Sequence, residues 1–194
     1  MKTRQAGFLR GYGFQGGGYR EGWERGIVQT GFGREFKASV IQPGPWRFIF
    51  GGVGECLPNH NNYVELDKEK VDAWGIPALK INCAWSENEL ALRKDMSITA
   101  AEMLAAAGAQ EVETFVDDEP PGFAIHEMGT ARMGRDPKTS VLNSYNQAHD
   151  VKNLFITDGG AMVSSACVNP SLTYRALTAR ACDYAVQQFN RGEL

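Results

Sequence analysis

Ser86-Glu87-Asn88-Glu89 opens the one segment of this chain whose local structure has almost no freedom. A serine at a helix cap and a glutamate three residues on satisfy two orphan backbone donors reciprocally. Behind them Leu92, Met96, Ala100, Met103, Leu104 and Ala107 recur at helical spacing, and Gly108 stands where a left-handed residue ends a helix. The pattern predicts a helix from Glu87 to Ala107 with an apolar stripe that needs a flat surface to cover. The preceding segments supply one. Trp46–Gly52 is a run of aromatic and β-branched residues, Tyr63–Asp67 alternates apolar with polar, and Leu79–Trp85 does likewise. Such alternation favours an antiparallel sheet with one face covered. The fold class that follows is α+β: a largely antiparallel sheet with helices packed on one face, the stripe of the Ser86-capped helix serving packing alone.

The flanks are read from weaker signals. Residues 1–45 look loop-rich, with Gly16, Gly17 and Gly18 in a row and a Pro43-Gly44-Pro45 stop. Further strands are expected at Glu111–Val116 and Asn153–Asp158. A last helix is expected over Pro170–Phe189, with Leu172, Ala176, Ala179, Cys182, Val186 and Phe189 on its packed face. Asn169 before Pro170 is a strong start signal, a cap residue followed by proline at the first helical position. The N-terminus carries no apolar run long enough for a signal peptide or a membrane span, and it reads as a chain entered midway through a larger protein.

Charge and cysteine usage remove several classes. A net charge of −3 suggests neither a nucleic-acid nor a membrane-surface partner, and 43% hydrophobic with 22% charged residues suits a soluble globular protein. Cys56, Cys83, Cys167 and Cys182 lie far apart with no C-x-x-C pair, which argues against a disulfide framework or a metal site and for free, buried thiols. A dinucleotide fingerprint is also absent. Gly52-Val53-Gly54-Glu55-Cys56-Leu57 lacks the third glycine, and Pro58 stands where the phosphate-binding helix should run.

Only three histidines are available for acid–base work. His60 sits among turn formers, and His149 lies beside Asp150 in a polar stretch; both read as surface residues. His126 follows Phe123-Ala124-Ile125 and precedes Gly129-Thr130-Ala131-Arg132-Met133-Gly134. An imidazole leaving a strand end into a glycine-rich turn can face a cavity with little obstruction. From spacing alone, a hydrogen-bonded structural histidine explains the residue as well.

His126-Glu127-Met128-Gly129-Thr130-Ala131-Arg132-Met133-Gly134 resembles the C-terminal signature of the glucose-methanol-choline flavoenzymes. Leu154-Phe155-Ile156-Thr157-Asp158-Gly159-Gly160 and Asn169-Pro170-Ser171-Leu172-Thr173 are similar to that family too, at the expected spacing. The close likeness runs from residue 126 to 186, with a looser one over Asn62-to-Pro77. The resemblance implies an FAD-dependent enzyme that oxidises the CH–OH group of an alcohol. His126 would take the hydroxyl proton while hydride leaves for flavin N5. Asn169 would hold the second catalytic position, as in the branch acting on sugars, polyols and sugar acids. Asp158, Gly159, Asn169, Pro170, Ser171 and Thr173 would line the flavin, with the start of the last helix offering N–H groups to its negative end.

The same resemblance divides the chain into a substrate-binding domain over 1–150 and a strand and helix over 151–194 that complete the FAD domain. The expected partners are a small alcohol or sugar and the N-terminal FAD-binding domain. By itself the chain is expected not to retain flavin and to be inactive, and an oligomer or a swap through residues 151–194 stays open. The other class of reading is a flavin-free binding or assembly module that reuses the fold. The missing fingerprint favours it, and the retained His126, Asn169 and Asp158 favour an enzyme.

Overall fold

The computed structural model describes residues 7–116, 120–123 and 125–194, and among these residues two two-stranded antiparallel sheets and three α-helices form. Ala124, part of the segment expected to lead into His126, lies outside the described residues. The α+β class with antiparallel pairing holds. Strand β1 (Tyr12–Arg20) pairs with β2 (Trp46–Gly54), and β3 (Tyr63–Val71) pairs with β4 (Pro77–Asn82).

The first forty-five residues are therefore not all loop. Three consecutive glycines argue against a strand on propensity, yet Gly16, Gly17 and Gly18 pair with Phe50, Ile49 and Phe48 across the ladder. A Cβ on Gly16 would stand 3.0 Å from the Phe50 ring and one on Gly18 3.4 Å from the Phe48 ring, although all three glycines stay exposed. Between the two strands runs an excursion containing a 3-10 turn (Trp23–Ile27) and helix α1 (Gly33–Ile41). Arg25 holds it together, its guanidinium donating to the carbonyls of Gly22 at 3.0 Å and Gln42 at 2.7 Å.

Helix α2 (Glu87–Ala106) forms as the sequence predicts, with both halves of the capping box present. Glu89 is buried and accepts from the Ser86 N–H, the Ser86 hydroxyl and the Leu57 N–H. The helix lies on the β1–β2 hairpin through Leu92 and Met96, and β2 has no side chain at the crossing points. A Cβ on Gly54 would stand 2.5 Å from Leu92 Cδ2, and one on Gly52 would stand 2.9 Å from Met96 Sδ. Tyr12 seals the contact, donating to Asp95 Oδ2 at 2.5 Å and meeting Thr99 Oγ1 at 3.1 Å. On the same side Phe14 stacks on Phe50 with ring centroids 4.6 Å apart.

Two expected strands do not form. Glu111–Val116 is irregular, and the Asn153–Asp158 stretch contributes one bridge, Phe155 to Gln147. Both are short apolar runs, and a strand needs a neighbouring backbone to bond to. The segments 128–134 and 154–162 cross-link instead: the Ala131 N–H donates to Gly160 O at 3.0 Å and the Met133 N–H to Ala161 O at 2.9 Å. Leu142, Ala148 and Ala161 are buried together beneath this lattice, with Met133 and Ile156 packed on them.

Helix α3 (Ser171–Asn190) is full length but turned from the expected face. Ala181 is buried, Tyr184 stacks on Tyr145 at 4.2 Å, and the Thr178 hydroxyl donates to Thr157 O. Leu172, Val186 and Phe189, from the stripe predicted to pack, are 81%, 59% and 73% exposed. Among the described residues no helix is long and apolar enough to cross a membrane.

Candidate active site

His126 and Asn169, forty-three residues apart in sequence, meet at 3.2 Å between Nε2 and the side-chain oxygen. Two pieces of local structure bring them together. Gly129, at φ +88°, turns the chain just after the histidine, and a Cβ there would press on Val163 O at 3.3 Å. The lattice between residues 131–133 and 160–161 then fixes the histidine loop against the segment that leads to α3.

Asn169 does not spend its side chain on its own helix. The cap position belongs to Pro170, which is buried and has no side chain to bond the first-turn N–H groups. The cap role that the sequence suggested for Asn169 is therefore not taken up, and its side chain meets His126 instead. His126 itself does not emerge from a strand. Ile125 is a bend residue with φ +56°, and its carbonyl lies 2.8 Å from His126 Nδ1.

The remaining predicted positions spread around this pair. The Asp158 carboxylate accepts from the Gly160 N–H at 2.8 Å and caps the 3-10 turn Gly159–Ala161. Gly159 packs on Met128, whose sulfur would lie 2.7 Å from an added Cβ. Ser171 Oγ meets Tyr174 Oη at 2.7 Å, and the Thr173 N–H bonds to Pro170 O.

Other histidines stay outside. His60 is exposed. His149 is not simply a surface residue: it is half-buried, with Nε2 3.0 Å from Ser140 Oγ. The thiols are free as expected, although Cys56 and Cys182 are exposed and the other two half-buried. Burial, then Glu89, Cys83 and Glu55, pushes the Cys56 thiol up to about 11, and burial with Glu127 raises that of Cys83. Neither cysteine offers a thiolate at neutral pH. A shallow hollow of about 220 Å³ on α2, lined by Leu90, Arg93 and Ile98 among others, contains none of the predicted site residues.

Sequence reading missed two supports. Ser164 donates to Glu55 at 2.6 Å, and Gly13 lies against Cys167, so the β1–β2 hairpin buttresses the segment ending in Asn169. Partners 109 residues apart carry no local signal. A β-branched residue such as Ile125 signals the reverse of a left-handed conformation.

A family profile described as GMC oxidoreductase matches residues 58–178, a stretch that includes both His126 and Asn169. The chain belongs to the GMC oxidoreductases. FAD is the cofactor typical of that family. This GMC oxidoreductase chain is 36% identical, over 95% of its length, to 2-methyl-1,2-propanediol dehydrogenase of Mycolicibacterium austroafricanum. It is 33% identical over 71% of its length to the fructose dehydrogenase large subunit of Gluconobacter japonicus. It is 29% identical over 76% to the gluconate 2-dehydrogenase flavoprotein of Pantoea cypripedii. It spans only part of each relative: 34%, 25% and 25% of their lengths in the same order.

Proposed function

We propose that this chain is the substrate-side portion of an FAD-dependent oxidoreductase that oxidises a CH–OH group on a polyol, sugar or sugar acid. The observation that carries the proposal is the 3.2 Å approach of His126 Nε2 to Asn169. It supports a proton acceptor and an adaptable amide side by side, at the start of a helix. The three relatives are named for a diol, a sugar and a sugar acid, which supports a donor bearing several hydroxyls.

The residues fit the cofactor. Helix α3 begins without a side-chain cap, so the N–H groups ahead of Thr173 and the positive dipole end are open to an anionic ring edge. Asn169, Pro170, Ser171 and Thr173 would hold that edge, with Asp158 and Gly159 at the adjoining turn. FAD, when bound, supplies the acceptor for the hydride.

The chain's own residues do the acid–base work. His126 Nε2 takes the hydroxyl proton as the carbon–hydrogen bond breaks. Asn169 holds the imidazole edge and offers a hydrogen bond to the reacting oxygen. Proton removal by a positioned histidine contributes roughly 10²–10⁴-fold to such a reaction.

Residues 1–150 form the substrate domain in this reading, and residues 151–194 dock on the FAD domain. The open stripe of Leu172, Val186 and Phe189 on α3 supports that division.

The test uses the flavin-loaded enzyme that contains this chain. His126→Ala should slow anaerobic flavin reduction by a polyol by on the order of 10²-fold or more, with flavin content unchanged. A variant that is reduced at the wild-type rate removes His126 from the reaction.

A further inference from the structure

The two faces of the β1–β2 hairpin differ in why they carry glycine. Directly paired residues of an antiparallel ladder point to the same side, so Gly16 and Gly18 share a face with Phe50, Phe48, Gly52 and Gly54. Helix α2 covers the Gly52–Gly54 end of it, and a Cβ on any of those four glycines would stand no further than 3.4 Å from a neighbouring atom. Packing demands glycine there. The other face carries Gly13, Gln15, Gly17 and Tyr19, opposite Val53, Gly51, Ile49 and Arg47. Here packing demands nothing: a Cβ on Gly17 would meet no atom within 4 Å, and one on Gly51 only Gln15 O at 3.7 Å. Glycine weakens a strand interior, and it often marks a place where a ligand or another backbone comes close.

This second face is the one beside the candidate site. A Cβ on Gly13 would lie 3.5 Å from Cys167 Sγ, and Glu55, just past β2, accepts from Ser164. The segment that delivers Asn169 therefore crosses the face from Glu55 to Gly13, which brings it one ladder step nearer Gln15. Asn169 follows Cys167 by at most about 7 Å of chain. Gln15 stands about 7 Å beyond Gly13 on the same face. It is exposed, with Gly51 opposite and Gly17 two residues on. The other polar residues of the face are remote. Tyr19 and Arg47 pair with each other about 20 Å from Gly13, and Arg47 already donates to Glu21 at 2.8 Å.

We infer that Gln15 is a specificity-determining residue: its amide hydrogen-bonds a hydroxyl of the donor remote from the carbon that is oxidised. Gly17 and Gly51 keep the floor beside it clear. The inference rests on the reading of His126 and Asn169 as the reacting end of the site, and it adds what recognises the rest of a polyhydroxylated donor. A primary amide suits the task because it both donates and accepts, and so meets a hydroxyl in either orientation.

The test uses the flavin-loaded enzyme that contains this chain, with anaerobic flavin reduction by D-sorbitol and by 1-hexanol. The two donors share a six-carbon chain and a primary hydroxyl, and differ in the remaining hydroxyls. The wild type should favour sorbitol in kcat/KM. Gln15→Leu should lower kcat/KM for sorbitol by about 3–10-fold, the worth of one neutral hydrogen bond. The loss should appear in KM, and 1-hexanol should be unaffected. Gly17→Val places a side chain where nothing in this chain obstructs it, so stability should hold, while sorbitol oxidation falls on the order of 10-fold. Flavin content should match wild type in both variants.

A sorbitol preference that survives in Gln15→Leu overturns the inference and leaves the His126 reading standing. So does a wild type that reacts with 1-hexanol as well as with sorbitol. A Gly17→Val enzyme that loses flavin also overturns it, because the clear floor then serves the cofactor. A wild type whose flavin neither donor reduces fails the proposed function itself, and the inference falls with it.

Discussion

Ser164 Oγ lies 2.6 Å from Glu55 Oε1, and this one bond ties the end of β2 to the segment that delivers Asn169. Arg10 Nε stands 3.3 Å from the other carboxylate oxygen, so Glu55 is gripped from both sides. Hydrogen bonds to charged groups contribute about 1.5–3 kcal/mol, less where water competes. Ser164→Ala should therefore destabilise the chain by about 1–2 kcal/mol. In a denaturation cycle with Glu55→Ala the pair should couple by more than roughly 0.5 kcal/mol. Additive single effects would show that the hairpin does not brace this segment.

Glu89 sets an acid limit. Burial raises its pKa, but the bonds from Ser86, the Leu57 N–H and Asn88 outweigh burial and hold it below the usual carboxylate value. A carboxylate lowered on folding stabilises above its unfolded pKa, and the contribution disappears as pH falls through the folded one. Glu89→Gln should cost about 1 kcal/mol at pH 7. That difference should shrink on titration from pH 5 toward pH 3, followed by urea unfolding. A gap that is constant with pH would assign the effect to packing.

Asn169→Asp probes the candidate site by charge. The asparagine is not the helix cap, so stability should change little. A carboxylate 3.2 Å from Nε2 favours the doubly protonated ring, which cannot accept another proton. Flavin reduction in the loaded enzyme should slow by at least about 10-fold, and its midpoint potential should become more negative. Stopped-flow rates and redox titrations that match wild type would remove Asn169 from the site.

Phe189 tests the proposed docking of α3. In this chain it is 73% exposed, so Phe189→Lys should alter stability by less than about 0.5 kcal/mol and reduce binding of a hydrophobic dye. In the enzyme that also contains the FAD domain, the same change should cost about 1.5–3 kcal/mol, the value of a buried phenylalanine. Equal effects in both contexts would mean that the stripe stays in water.

Local signals were enough wherever a residue's role depended on near neighbours. Ser86 and Glu89 bond within a single turn, so the start of α2 was legible, as were the alternating strands of the hairpins. The three motifs around His126, Asp158 and Asn169 were equally visible as sequence, and so was the family. What they could not reveal was contact. The face of α3 that packs was misjudged because two apolar stripes exist on it, and only the position of Tyr145 and Thr157 selects between them. The glycine run in β1 became a strand because Phe48 and Phe50 lie across from it. The meeting of His126 with Asn169 depends on hydrogen bonds between segments far apart in the chain. Propensity is a sum over neighbours in sequence, whereas these features are fixed by neighbours in space.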